Sequence, residues 1–285
     1  MKSPAALLGV FAVGAMASLA ASGLVVAATL GFGSAIGSTH TAVLITLVFS
    51  VALLALSRTL LRHEGASLRE LGLVPTRERL WQFGGGFAVT GVLFLGIAVA
   101  QAAAVRAPWQ LQGFPGIRAA LIGLLVTGVL ALSEELLFRG VALRYMRSLC
   151  GDRAAILLSA ILFGAYHVVQ SHDWAMGAVF RFLMPTLGGL LFGWAALRSR
   201  GLALPLGLHL GGNWVQSSIA VFAPNVLPAD VPVQALWRIP ITVHDVRLLT
   251  APDLAPHLPY VIVIIVSAAA TSRLLNKSPY SRGIV

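Results

Sequence analysis

Charge is scarce in this sequence: 11% of its 285 residues are Asp, Glu, Lys or Arg, against roughly 25% in an ordinary soluble domain, while 58% are hydrophobic. That shortage excludes both a disordered chain and a water-soluble globule. Acidic residues are the rarest charged group, 10 against 20 basic ones. Cys150 is the only cysteine, so no disulfide can close within the chain and no Cys-based metal cage can form. The five aspartates, Asp152, Asp173, Asp230, Asp245 and Asp253, all fall in expected loops, which leaves no intramembrane aspartate pair. His63-Glu64 lacks the second histidine of an H-E-x-x-H zinc helix, and no G-x-S-x-G nucleophile motif occurs. No internal repeat and no second soluble domain is visible.

What the chain does have is long apolar runs. Windows at 5–30, 41–57, 83–104, 118–143, 154–169, 175–197, 204–222 and 258–273 predict about eight membrane spans at ~20 residues each. The fold expected is an all-α polytopic membrane helix bundle. With the N-terminus inside, fourteen of the 20 basic residues fall on its side, and Arg106, Arg118, Arg238 and Arg247 fall on the other. This is the positive-inside pattern, with both termini cytoplasmic in a multi-pass integral membrane protein. The basic excess therefore reports topology and attraction to anionic lipid, and no nucleic-acid partner is implied. The N-terminal run is too long for a 7–15-residue signal h-region, so its retention is expected.

Some segments read as architecture. Ser67-Leu68-Arg69-Glu70 has the capping-box pattern, and with Leu71, Leu73, Leu80 and Trp81 it predicts an amphipathic helix in the cytoplasmic interface, the alternative being a solvated loop. Gly31 to Gly37 has the wrong spacing for a nucleotide loop and suits small-residue helix packing. From Ala223 to Pro259 the chain holds seven of its 14 prolines, so an irregular outer loop at about 223–257 is expected.

Ionisable groups within apolar spans cost about 2.5 to 3.5 kcal/mol each on insertion scales and so invite a functional reading. Glu135 and Arg139 are four apart on one helix face and can pair. Glu134 is rotated from them by about 100°, so one carboxylate is left over. A carboxylate left in a low-dielectric setting holds a proton more readily, which is how a glutamate becomes a general base. The competing reading is a buried polar cluster of both glutamates with Arg139. Phe163 and His167 share a face of the next polar helix, and His209 and Asn213 share a face of a later one. Each pair alone is weak, since a lone helical histidine is more often a packing residue. At ~1.5 Å per residue, all three groups fall at similar depth in the cytoplasmic half of the membrane.

Glu-Glu-x-x-x-Arg at 134–139, Phe-x-x-x-His at 163–167 and His-x-x-x-Asn at 209–213, in that order on successive membrane helices, resemble the motifs of the CPBP intramembrane protease family. That family includes the CAAX prenyl endopeptidases and the bacterial Abi proteins. The resemblance covers about Leu121 to Val221 and leaves the first three spans and the last matched only in general character. It implies one membrane domain over 1–285, with a catalytic core at about 118–222, in a bacterial plasma membrane. It also implies a peptidase whose Glu134 activates water, with His167 helping to hold that water. His209 and Asn213 would bind the oxyanion, supported by Glu135, Arg139 and Phe163. The substrate implied is a membrane-associated peptide or protein, prenylated in the CAAX enzymes.

A divalent metal such as Zn²⁺ on Glu134, His167 and His209 is a competing version of the same chemistry, and the sequence leaves metal and metal-free versions open. A proton-coupled transporter using Glu134, Glu135, His167 and His209 as a relay, and a non-catalytic immunity or scaffold protein, are the other classes. The sequence does not specify an oligomeric state.

Overall fold

The computed structural model describes residues 3–30, 39–171, 177–224, 235–241 and 258–277. Among them run eight α-helices: α1 (Pro4–Leu30), α2 (Thr39–His63), α3 (Arg77–Ala104), α4 (Gly113–Arg139), α5 (Val141–Ser171), α6 (Gly177–Ser199), α7 (Ala203–Trp214) and α8 (Leu258–Lys277). The all-α expectation holds. Among the described residues, four stretches are long and apolar enough to cross a membrane, against the eight spans the sequence suggests: 4–28, 41–63, 77–104 and 113–170. The last contains both α4 and α5. α7, at 12 residues, falls short of the ~20 that a full span needs. The glycine-rich segment 31–37, His172, Asp173, His244 and His257 lie outside the described residues.

Local chemistry moves several expected boundaries. α4 stops at Arg139 because Gly140 (φ −69, ψ −130) turns the chain out of the helix. α5 then starts at once and bends at Gly151, whose φ of 77 suits glycine. Residues 144–150, expected as a connection between spans, are thus part of a helix that begins at Val141. It buries Val141, Leu143, Tyr145 and Met146 with Phe11 of α1 and Leu53 and Leu61 of α2. The expected interfacial helix is a single 3₁₀ turn, Leu68–Leu71, in which Glu70 Oε1 accepts from the Ser67 N–H at 3.3 Å. Gly72, with φ 67, ends it. Leu80 and Trp81 belong to the first turns of α3 and stay exposed.

The expected outer loop carries regular structure. α7 passes through a π turn, Val215–Ile219, into β2 (Ala220–Pro224), which pairs in parallel with β3 (Trp237–Ile241). β1 (Gln110–Leu111) pairs antiparallel with the other edge of β3, but only at Arg238 and Trp237. Pro240 lies past that contact, where its missing N–H deprives β1 of nothing. Ile239 anchors the sheet by packing with Ala98, Ala102 and Ala220.

Glycines bring the core helices to backbone contact. A Cβ at Gly207 would lie 2.1 Å from the Phe83 carbonyl oxygen, and one at Gly211 would lie 2.2 Å from that of Phe87. Thr90 Oγ1 of α3 also donates to the Leu208 carbonyl at 2.7 Å. α5 and α6 meet the same way, with the Gly164 Cβ position 2.6 Å from the Phe182 carbonyl oxygen. Lipid supplies no hydrophobic drive between helices, so such close small-residue contacts carry the association. His209 sits between Gly207 and Gly211, and this packing therefore fixes its position.

Candidate active site

α4 contributes Ser133, Glu134, Glu135 and Arg139 from its last two turns. Glu135 is fully buried, and its Oε1 lies 3.2 Å from Arg139 Nη1, as the four-residue spacing predicts. The same oxygen lies 2.9 Å from Nδ1 of His209, which α7 delivers from 74 residues away. A carboxylate can only accept at that distance when ionised, so Nδ1 carries the proton. The other ring nitrogen, Nε2, lies 3.5 Å from Glu134 Oε2. His209 is therefore held between two neighbouring carboxylates, and Glu134 makes no hydrogen bond with Arg139.

Aromatic rings complete the setting. Phe192 of α6 stacks on His209 at 4.7 Å and an interplanar angle of 17°, and Phe163 meets its edge at 5.8 Å. The Arg139 guanidinium lies 4.3 Å from the centre of the Phe163 ring and 5.5 Å from that of Phe192. This cation–π cage offsets part of the cost of burying a cation whose Nε and Nη2 have no hydrogen-bond partner among the described residues. Ser159 Oγ of α5 donates to the Phe138 carbonyl at 3.0 Å and ties α5 to the end of α4.

His167 stands against Phe163, with 4.5 Å between ring centres. Its Nδ1 lies 2.8 Å from the Phe163 carbonyl oxygen, an acceptor, so Nδ1 is the protonated nitrogen and Nε2 is left to accept. His167, His209 and Asn213 line one cavity of about 480 Å³ among α3, α5, α6, α7 and α8. The Asn213 amide makes no hydrogen bond among the described residues, which leaves its donors available. Glu134 is not part of the cavity lining; it joins the constellation through His209, and 12% of its side chain is exposed.

Residues 114–215 match the family model described as Type II CAAX prenyl endopeptidase Rce1-like. Over these residues the chain is similar to the CAAX prenyl endopeptidases. The match spans α4 to the start of the π turn and contains every residue of the three motifs. The matched core is built of apolar helices. Comparison with curated proteins and with solved structures finds no match to the chain.

The donor set for a metal is not assembled in this Rce1-like core. Among the described residues, no three of His, Cys, Asp and Glu converge as metal ligands. The reason is visible at His209, both of whose nitrogens face carboxylates, and at His167, whose Nδ1 is held by its own helix. Sequence reasoning missed Phe192, which gives no motif signal, and Ser267. The Ser267 hydroxyl is fully buried at the cavity wall with no partner among the described residues. Arg181 of α6 is exposed and lines this cavity.

Proposed function

We propose that the chain is an intramembrane endopeptidase of CAAX-protease type, which hydrolyses a peptide bond with a water activated by Glu134. The observation that carries this reading is the His209 ring held between Glu135 and Glu134, beside a cavity that His167 and Asn213 also line. Glu134 takes a proton from water, and the hydroxide attacks the scissile carbonyl carbon. His167 Nε2 accepts from the other water hydrogen and orients it. The oxyanion receives the Asn213 amide N–H. His209 adds a second donor when Nε2 is also protonated, with the two glutamates beside it balancing the ring's charge. Collapse of the tetrahedral adduct sends the C–N electron pair to the leaving amine, which takes its proton from Glu134. No step runs through a metal.

The substrate proposed is a membrane-associated peptide or protein, cut in the cytoplasmic half of a bacterial plasma membrane. The positive-inside count supports that orientation, with both termini cytoplasmic. The test uses the full chain in lipid vesicles with a farnesylated CAAX peptide and its unprenylated counterpart, reading the released tripeptide by mass spectrometry. Cleavage by the wild type and none by Glu134→Gln is the expected result. Equal cleavage by both would remove the reading.

A further inference from the structure

A second cavity, of about 430 Å³, opens at the arginine-rich end of the bundle between the start of α5, the 3₁₀ turn and the α6–α7 turn. Four arginines line it, Arg139, Arg144, Arg147 and Arg200, against one acid, Glu70. Glu70 is already bound to Arg144, as is Glu64, at 3.3 Å. Arg147 gives Nε to Asp152 at 2.8 Å, and its terminal nitrogens make no ion pair among the described residues. Arg200 has no ion pair among the described residues. Arg139 is paired with Glu135 and has no exposed side-chain surface, so the charge left without an ion pair at the cavity is that of Arg200.

The backbone at Arg200 adds an independent observation. α6 ends with Gly201 N–H donating to the Ala196 carbonyl at 3.0 Å and Arg200 N–H to that of Leu197 at 3.3 Å, a Schellman arrangement. Its left-handed position, φ 54, is held by Arg200, where glycine is the unstrained choice. The turn is clamped in place: Arg79 donates to the Ser199 and Arg200 carbonyls at 2.6 and 3.0 Å, and Gly201 abuts Gly72. Arg106 closes α3 with the same pair of bonds at φ 52, so the turn is a helix stop whose part here is to fix where the Arg200 side chain leaves the backbone.

We propose that this cavity binds a phosphate oxyanion, with Arg200 and Arg147 as its principal donors. A guanidinium fork matches phosphate geometry, and the cavity lies at the end of the bundle where a headgroup would stand. A lipid headgroup and free inorganic phosphate share this chemistry. Arg139 belongs to this wall and also to the Glu135–His209 cluster, so occupancy is placed one residue from the candidate active site.

The experiment is thermal unfolding of the full chain in phosphatidylcholine nanodiscs. One arm adds inorganic phosphate at ionic strength matched with chloride, and the other adds phosphatidylglycerol to the disc. A ligand of the folded state raises the melting temperature. The wild type is expected to gain stability in at least one arm. A response to phosphate alone assigns the site to the free ion, and a response to phosphatidylglycerol assigns it to a headgroup. Arg200→Gly is expected to lose most of that gain while melting at the same temperature or higher without ligand, because glycine relieves the turn. Arg153→Gln, which removes an exposed charge outside the cavity, is expected to keep the gain. No gain in the wild type, the same gain in Arg200→Gly, or equal loss in Arg153→Gln would overturn the proposal.

Discussion

Nδ1 of His209 and Oε1 of Glu135 lie 2.9 Å apart, and that oxygen is the one that Arg139 Nη1 also approaches, at 3.2 Å. Glu135 therefore joins α4 to α7 and neutralises the buried cation at once. Its neighbour Glu134 makes no bond with Arg139, lies 3.5 Å from the other ring nitrogen of His209, and is the carboxylate left with reach to the site.

Replacing Glu135 by Ala is expected to act first on stability. It leaves the Arg139 guanidinium buried without its counter-charge, a loss of about 3 to 5 kcal/mol in comparable cases. Thermal unfolding in nanodiscs reads it directly, and the double change Glu135→Leu with Arg139→Met recovers much of the loss.

Glu134→Gln is expected to do the opposite. The melting temperature stays near that of the wild type, while peptidase turnover falls by about 10² to 10⁴, the range for removal of a general base. Parallel melting and peptide-release measurements separate the two glutamates.

Asn213→Ala removes an amide that no described residue uses for structure. Turnover is expected to fall about 10² to 10³, as for loss of one oxyanion donor, with KM little changed. A fall in stability instead, with turnover intact, would assign the residue to packing.

Gly211→Ala is expected to cost about 1 to 3 kcal/mol by overpacking, because its Cβ would stand 2.2 Å from the Phe87 carbonyl oxygen. It should also lower turnover by moving α7. Gly91→Ala on the facing helix meets its nearest neighbour at 3.8 Å and should be tolerated in both assays.

Exhaustive chelation is expected to leave peptidase activity in place. The two ring nitrogens of His209 are directed at carboxylates, and the described residues assemble no metal-ligand set. Loss of activity on chelation, restored by one added metal ion, would show that the donors rearrange.

The sequence by itself determined the all-helical membrane character, because an apolar chain in lipid must satisfy its backbone within helices. It determined the Glu135–Arg139 pair and the separation of Glu134, since both follow from 3.6 residues per turn. It also exposed the three motifs that fall inside the family match. It did not show that α4 ends at Gly140, because an apolar run continues unbroken across the turn. Nor did it show the three-stranded sheet, whose partners at 110–111, 220–224 and 237–241 are remote in sequence.

Only the tertiary structure decided what each polar residue faces. The meeting of His209 with Glu134 and Glu135 depends on α7 being drawn against α3 by Gly207 and Gly211. The caging of Arg139 depends on Phe192 arriving from α6. Periodicity fixes which face of a helix a residue occupies, but its partner is set by the axial register of another helix, and that register is written in side-chain and backbone contacts that span the whole core.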